Sequence, residues 1–311
     1  MYDLIIVGLG PAGMTAGIYA GRRGLKTLLI GEVLGGQQSL AHVVENYPGI
    51  ESITGRELSE RMRRQCERFG CEIVLGKVAS LELSGKTKKV VSDAGTFEAE
   101  AVILATGGRH RKLNVEGEDR FLGKGVSYCA ACDGPLFRDK RVAVIGGSDS
   151  AVTTAVYLSE IASETYLIHR RDSLRAEESN QRKLRETDVK IIWNSVVQRI
   201  LGSGRVEGLE LRNVKTGETS VLKVDGVFIE IGMVPTTELA RAAGVKLGEG
   251  GYIEVNEKME TNLEGVFAAG EVTGCVPQIV VAAGQGAVAA TSAYLFLKGV
   301  YGKRADWGKK V

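Results

Sequence analysis

The chain opens on an unbroken apolar run, Leu4-Ile-Ile-Val7, which meets a glycine-rich turn, Gly8-Leu-Gly-Pro-Ala-Gly13. A short apolar run closed by turn residues fits a strand buried on both faces. An Ala-rich stretch carrying Tyr19 follows, then a second apolar run, Thr27-Leu-Leu-Ile30, so the pattern predicts a strand–helix–strand unit. The pattern then returns. Arg141-Val-Ala-Val-Ile-Gly146 leads into Gly147-Ser-Asp-Ser-Ala151, a helix with Tyr157, and Thr165-Tyr-Leu-Ile168. Gly8 to Glu32 spans 24 residues, as does Gly146 to Arg170, so the two units align without a gap.

The likeness continues downstream. Residues 72–107 alternate in polarity and end in Ala101-Val-Ile-Leu-Ala-Thr-Gly107; residues 189–232 do the same and end in Gly226-Val-Phe-Ile-Glu-Ile-Gly232. Period-two alternation with turn signals at Ser84-Gly85 and Thr216-Gly217 predicts a meander in each. A further dinucleotide-type element, Gly265-Val-Phe-Ala-Ala-Gly-Glu271, follows the second unit, so the second domain interrupts the first. The expected fold is α/β, two Rossmann-like dinucleotide-binding domains of three layers, one inserted in the other, with boundaries 1–113, 114–240 and 241–311. The uncharged stretch Val272–Leu297 is rich in Ala and Val and holds Pro277, Gln278 and Gln285. It predicts a buried helix rather than a membrane span.

Composition narrows the classes. The chain has 311 residues, 44% hydrophobic and 25% charged, which excludes a disordered, collagenous or coiled-coil protein. A net charge of +2 gives no electrostatic case for nucleic acid. Glycine, at 41 residues, is in excess, as expected where backbone turns tightly or approaches a ligand. Three histidines, His42, His110 and His169, nearly exclude a histidine-cluster mechanism. Five cysteines and no expected targeting segment argue against a secreted disulfide scaffold and for the cytoplasm. The basic tail Lys298–Lys310, with Trp307, is expected to be a solvated end.

The turns carry chemistry. Gly8, Gly10 and Gly13 lie between a strand and a helix, the strong form of the dinucleotide fingerprint. The first glycine permits the turn, the second admits a pyrophosphate, and the third lets the helix pack on the strand. Glu32 then stands where a carboxylate accepts hydrogen bonds from a ribose. The second turn departs from this, with Ser148 and Ala151 in place of two glycines. No acid ends its second strand; the chain reads His169-Arg170-Arg171 and then Arg175. Arginines there accommodate a 2′-phosphate, which predicts NADPH rather than NADH.

Cys129-Ala-Ala-Cys132-Asp133 lies just before the second unit. A C-x-x-C beside β-α-β units suggests redox chemistry. Zinc wants four ligands, and Cys66, Cys71 and Cys275 provide no second pair, so no metal is expected. Cys66 and Cys71 flank the end of the charged helical run Arg56–Arg68 and read as two free thiols, while Cys275 reads as an ordinary small residue near a cofactor.

Together these motifs, with Gly35-Gly36-Gln37 and Glu45-Asn-Tyr-Pro-Gly49, resemble the low-molecular-weight thioredoxin reductases, flavoproteins of the pyridine nucleotide-disulfide oxidoreductase class. The resemblance spans almost the whole chain. It implies FAD in the split domain, held by Gly8, Gly10, Pro11, Ala12, Gly13, Glu32, Gly36, Gln37, Asn46, Val78, Ala105, Thr106, Gly107, Gly270, Glu271, Gln278 and Ile279. It implies NADPH in the inserted domain, at Gly146, Gly147, Ser148, Asp149, Ser150, Ala151, His169, Arg170, Arg171 and Arg175. Electrons would pass through FAD to Cys129–Cys132, with Cys132 facing the flavin, Cys129 attacking the substrate disulfide and Asp133 handling the thiol proton. The partner would be a thioredoxin-like protein docking near Gly134-Pro-Leu-Phe137 and Arg138. A homodimer with no membrane partner is implied, with domain rotation at hinges near 113–117 and 237–244. Two departures stand out: Glu271 where the family usually has Asp, and Pro277 where a basic residue often precedes the Gln. Within the same fold, a ferredoxin- or deazaflavin-linked disulfide reductase and a dithiol oxidase are the alternatives, and the arginines oppose both. A non-catalytic redox sensor is the alternative of another class.

Overall fold

The computed structural model describes residues 1–41 and 43–300. His42 and the tail beyond Val300, with Trp307, lie outside the described residues. The chain forms two compact units, one of residues 1–109 with the return from Pro235, the other His110–Val234. The expected boundaries fall a few residues later in each case. Leu113 and Val115 already pack on the core of the second unit, and Leu239 and Ala240 on that of the first. The crossings therefore precede the expected hinge segments.

The first unit begins with β1 (Tyr2–Val7), α1 (Pro11–Gly21), β2 (Thr27–Gly31), α2 (Gly55–Arg68) and β3 (Glu72–Leu75). It continues through β4 (Val78–Glu82), β5 (Lys88–Ser92) and the long β6 (Gly95–Leu104) to β7 (Gly108–His110). The second unit holds β8 (Val126–Ser127), α3 (Ala130–Asp133), β9 (Arg141–Gly146), α4 (Asp149–Ser159), β10 (Glu164–Ile168), α5 (Glu178–Arg185) and β11 (Lys190–Ile192). Then come β12 (Ser195–Leu201), β13 (Gly208–Asn213), β14 (Thr219–Leu222), β15 (Gly226–Glu230) and β16 (Met233–Pro235). The return to the first unit adds α6 (Glu238–Ala242), β17 (Val266–Ala268) and α7 (Ile279–Leu297).

In the first unit β3, β2, β1 and β6 lie in that order in one parallel sheet, with β17 beside the last part of β6. The first half of β6 turns antiparallel to β5 and so joins the meander β4–β5–β6. Successive strand residues face opposite ways. Leu4, Ile6 and Ile103 therefore meet α1, α2 and α7, while Ile5, Val7, Val102 and Leu104 meet the meander side. The second unit repeats the design with a parallel sheet β11–β10–β9–β15–β8 and a separate meander β12–β13–β14. Val142 and Val144 face α4 and α5; Ala143 and Ile145 face the meander. Each meander is thus shorter than the alternation suggested, because β3 in the first unit and both β11 and β15 in the second join the parallel sheets.

The uncharged stretch becomes α7, which is long and apolar enough to cross a membrane by length and composition. Its Ala283, Gly286, Ala289, Ala290 and Ala293 form a buried stripe of small residues, while most of the rest of the helix is half-buried. A Cβ at Gly286 would lie 2.2 Å from the carbonyl oxygen of Ala12, so α7 and α1 meet backbone to backbone. Pro277 precedes the N-cap Gln278 and lies outside the helix. Pro11 does occupy the first turn of α1.

This contact generates a paired prediction. Gly286→Ala should lower unfolding free energy by about 1–3 kcal/mol through overpacking. Gly284→Ala, at an exposed position with open space around it, should be neutral or stabilise by up to about 1 kcal/mol from helix propensity. Chemical denaturation of the two variants checks the difference; equal effects would refute the close contact.

Candidate active site

In the first unit, three segments leave the C-terminal ends of adjacent parallel strands: the turn after β1, Ala105–Gly107 after β6, and Ala269–Glu271 after β17. Val7, Leu104 and Ala268 are in register across the three strands. Gly8 has φ +118, and a Cβ there would sit 2.1 Å from the Ala105 carbonyl oxygen. Gly13 is closed in the same way, 2.0 Å from the Gly8 carbonyl oxygen. At Gly10 the nearest atom to an added Cβ is 3.9 Å away, so this glycine faces open space. Gly10 caps α1 without any side-chain bond, which leaves the first amides of the helix to a ligand. That combination fits a pyrophosphate.

The other FAD candidates gather around this turn unevenly. Glu32 immediately follows β2. Val78 opens β4 just after Gly76, whose amide donates to the Gly31 carbonyl at 3.0 Å. Asn46 and Gln278, far apart in sequence, are joined by a 3.0 Å bond from Asn46 Nδ2 to Gln278 Oε1. Gly36 and Gln37 lie in a short 3-10 turn, and Gln37 Nε2 donates to the Gly108 carbonyl at 3.3 Å. Ile279 is the first residue of α7. Thr106 spends its hydroxyl on the Thr236 carbonyl at 2.7 Å, so its contribution is structural or through backbone. Glu271 is half-buried, burial raises its pKa, and its carboxyl has no hydrogen-bond partner among the described residues. A hydroxyl-bearing ligand would relieve that, so the residues fit FAD.

The second unit repeats the turn. A Cβ at Gly146 would lie 2.2 Å from the Glu230 carbonyl oxygen. Ser148 takes the N-cap position of α4 in extended backbone, again with no side-chain cap bond. Ser150 and Ala151 fall in its first turn. Asp149 has its side chain engaged: its Oδ1 accepts from the Glu177 amide and from Asn180 Nδ2, each at 2.7 Å. His169 follows β10 and its ring packs on Gly147, where a Cβ would be 2.3 Å away. Burial and then the nearby Arg175 and Arg171 hold its pKa below the ordinary value, against backbone hydrogen bonds at Gly146 and Ser173 that raise it. Its Nε2 is buried and has no partner among the described residues. Arg170, Arg171 and Arg175 are exposed, and none is ion-paired among the described residues. The Arg175 amide is tied to the Gly147 carbonyl at 2.7 Å, which brings that arginine to the turn. Unpaired guanidinia beside an uncapped helix start fit a phosphorylated dinucleotide.

Cys129 and Cys132 form a disulfide, with Cα atoms 5.3 Å apart. They follow β8, whose partner is β15, so the disulfide leaves the same sheet edge as the second glycine turn. Cys129 is the N-cap of the short α3, and its Sγ accepts from the Cys132 amide at 3.1 Å. Cys132 is exposed and Cys129 half-buried. The nucleophilic role expected of Cys129 therefore rests on that amide, which favours a thiolate, and not on exposure. Asp133 ends α3, partly exposed. Beyond it Leu136 is 76% exposed, whereas Phe137 packs edge-on against Phe228 at 5.3 Å.

Several positioning residues escaped sequence reasoning. Ser127, buried at the end of β8, accepts from the Cys129 amide at 3.0 Å. Glu118, 2% exposed, accepts from the amides of Leu113 and Asn114 at 2.9 and 2.7 Å and from the hydroxyl of Tyr128, next to Cys129. Gln285 Oε1 accepts from the Gly270 amide at 2.8 Å and the Thr273 hydroxyl at 3.0 Å, holding the turn that presents Glu271. Their partners are backbone groups or residues distant in sequence, so no local spacing marks them. Cys66 and Cys71 are free and buried, their thiols donating to the Met14 and Gly17 carbonyls at 3.1 and 3.2 Å. Burial pushes Cys66 up to about 12 and Cys71 up to about 11. Cys275 is free and partly exposed.

The family described as pyridine nucleotide-disulphide oxidoreductase matches residues 2–287. A thioredoxin reductase of Listeria monocytogenes is 43% identical over 302 residues, 96% of this chain and 94% of its own length. One from Bacillus subtilis is 45% identical over 298 residues, 94% of this chain and 93% of its own. The crystal structure of Lactococcus lactis thioredoxin reductase matches with a TM-score of 0.93 and 41% identity, covering 96% of this chain and all of that one.

The contrast among the cysteines is testable by alkylation of the reduced, folded protein at about pH 8. Cys129 and Cys132 should label at least about 100-fold faster than Cys66 and Cys71, whose thiols stay protonated and buried. Peptide mass mapping reads the order; comparable rates would contradict it.

Proposed function

The chain belongs to the pyridine nucleotide-disulphide oxidoreductase family, and on that premise we propose how its residues divide the work of a thioredoxin reductase. It is an NADPH-dependent, FAD-containing oxidoreductase that reduces the disulfide of a thioredoxin-type protein. The observation that carries this reading is the Cys129–Cys132 disulfide, held within a dinucleotide-binding unit rather than on a separate module.

FAD, when bound, supplies the two-electron exchange between nicotinamide and thiols that side chains cannot perform. The chain's part is binding and proton handling. The first amides of α1, Glu32 and the Asn46–Gln278 pair hold FAD in the first unit, with Gly36, Gln37, Val78, Ala105–Gly107, Gly270, Glu271 and Ile279 around them. Arg170, Arg171 and Arg175 hold the 2′-phosphate of NADPH, and the Gly146–Ala151 turn holds its pyrophosphate. In the dithiol form, the Cys129 thiolate attacks one sulfur of the partner's disulfide. That bond breaks, and the departing thiolate takes a proton from Asp133 or solvent. Cys132, deprotonated, then attacks Cys129 in the mixed disulfide, which releases the second partner thiolate and restores Cys129–Cys132. The exposed Pro135 and Leu136 offer the partner an apolar contact beside the sulfurs.

We further read the working form as a cytoplasmic homodimer. The free thiols Cys66, Cys71 and Cys275 support a reducing compartment. The exposed Val280 of α7 borders a groove of about 740 Å³ that also takes in Ile18, Leu58 and Ala287, a surface a second copy would cover.

Anaerobic titration tests the relay. The oxidised holoenzyme should take up about two equivalents of NADPH per chain, one for FAD and one for the disulfide, and Cys132→Ser about one. Addition of an oxidised thioredoxin should reoxidise only the unmodified enzyme; an equal stoichiometry in both proteins would sink the reading. Replacing Arg170 and Arg171 with Ala should raise the KM for NADPH about 10- to 100-fold and barely change that for NADH. Equal loss with both cofactors would show that the arginines do not read the 2′-phosphate.

A further inference from the structure

Strands β10, β9, β15 and β8 lie side by side in that order. At their C-terminal edge they end in His169–Arg171, the Gly146–Ala151 turn, Glu230 and the segment leading to Cys129. β9 and β15 are the neighbours between which the connection order reverses, and open α/β sheets take their ligands at that point. Resting on the reading of this unit as an NADPH site, the 2′-phosphate lies at β10 and the pyrophosphate at β9. A dinucleotide running on in the same direction carries its nicotinamide half over the end of β15. The side chain at that end is Glu230, opposite Gly146 in parallel register.

Its surroundings leave the carboxyl available. Oε1 accepts from the Thr154 hydroxyl of α4 at 3.2 Å, and Oε2 has no partner among the described residues. The charged groups of the neighbouring elements are engaged elsewhere or distant. Asp149 of α4 binds the start of α5, and Arg141 stands at the opposite end of β9 against Asp225. Tyr157 lies on Gly134, Glu160 closes the far end of α4, and β8 carries no charged residue. Burial pushes Glu230 up to about 7, with the Thr154 hydroxyl opposing the rise.

We propose that Glu230 is a specificity-determining residue for the redox state of the nicotinamide, its carboxylate favouring the cationic oxidised ring over the neutral reduced one. A carboxylate in a partly desolvated site discriminates between rings that differ by one positive charge. Because the group ionises near neutrality, the preference grows as the pH rises through that range.

Calorimetric titration of the oxidised holoenzyme tests this with three ligands. These are NADP+, its 1,4,5,6-tetrahydro derivative, whose ring is neutral and cannot give hydride, and 2′,5′-ADP, which lacks the nicotinamide half. Glu230→Gln should weaken NADP+ about 5- to 10-fold, the tetrahydro derivative less than about 2-fold and 2′,5′-ADP not at all. In the unmodified enzyme the affinity ratio of NADP+ to the tetrahydro derivative should rise by a similar factor between about pH 6 and about pH 8.5, and stay flat in the variant. Titration of His169 and of the 2′-phosphate is common to both ligands and cancels in the ratio. A ratio independent of pH in the unmodified enzyme, or equal losses for all three ligands in the variant, would overturn the role of Glu230 while 2′,5′-ADP binding upholds the NADPH site. Failure of 2′,5′-ADP to bind the unmodified enzyme would overturn both.

Discussion

Everything chemical in this protein depends on one steric constraint, made twice: the backbone at the end of a central strand runs against the carbonyl of the neighbouring strand's exit, with no room for a side chain. Gly8 meets Ala105 and Gly146 meets Glu230 with gaps that a Cβ would close to 2.1 and 2.2 Å. Only glycine allows this approach without pushing strand and helix apart. The close turn drops the following helix onto the sheet with its first amides uncapped, and those amides, aided by the helix dipole, are what a pyrophosphate needs. A larger residue at either position would move the helix and spoil the anion site together.

The same constraint collects residues from distant parts of the chain. Parallel strands all end at one edge, so whatever follows each strand shares that edge. In the second unit this places arginines, the glycine turn, a carboxylate and a disulfide in sequence along four neighbouring strands. In the first it gathers the turns after β1, β6 and β17. Side chains that touch no ligand then hold these turns in place. Gln285 fastens the loop before Glu271, Ser127 fastens the Cys129 amide, and Glu118 ties the Tyr128 hydroxyl to the Leu113 and Asn114 amides. A buried carboxylate such as Glu118 is tolerable because three donors meet it.

The cysteines show how environment, not residue type, decides reactivity. Cys66 and Cys71 sit between α2 and α1, where apolar burial disfavours the thiolate and backbone carbonyls hold the thiols. Cys129 has an amide aimed at its sulfur and lies at a helix start. The first pair is thus unreactive, whereas the second forms the disulfide centre.

Much of the fold was legible in the chain itself. Apolar runs, glycine turns and their equal 24-residue spacing identify two strand–helix–strand units, because burial on both faces and tight turning each demand particular residue types locally. The C-x-x-C and the arginines after β10 were equally readable, since their chemistry resides in adjacent residues. What the sequence left undetermined involved partners far apart: the loss of β3, β11 and β15 from the meanders, the diversion of Asp149 and Thr106 to structural bonds, the joining of Asn46 to Gln278, and the place of Glu230 beside the glycine turn. Those depend on which strand lies next to which and on how deeply a side chain is desolvated. Neither follows from local spacing, so only the tertiary structure decided them.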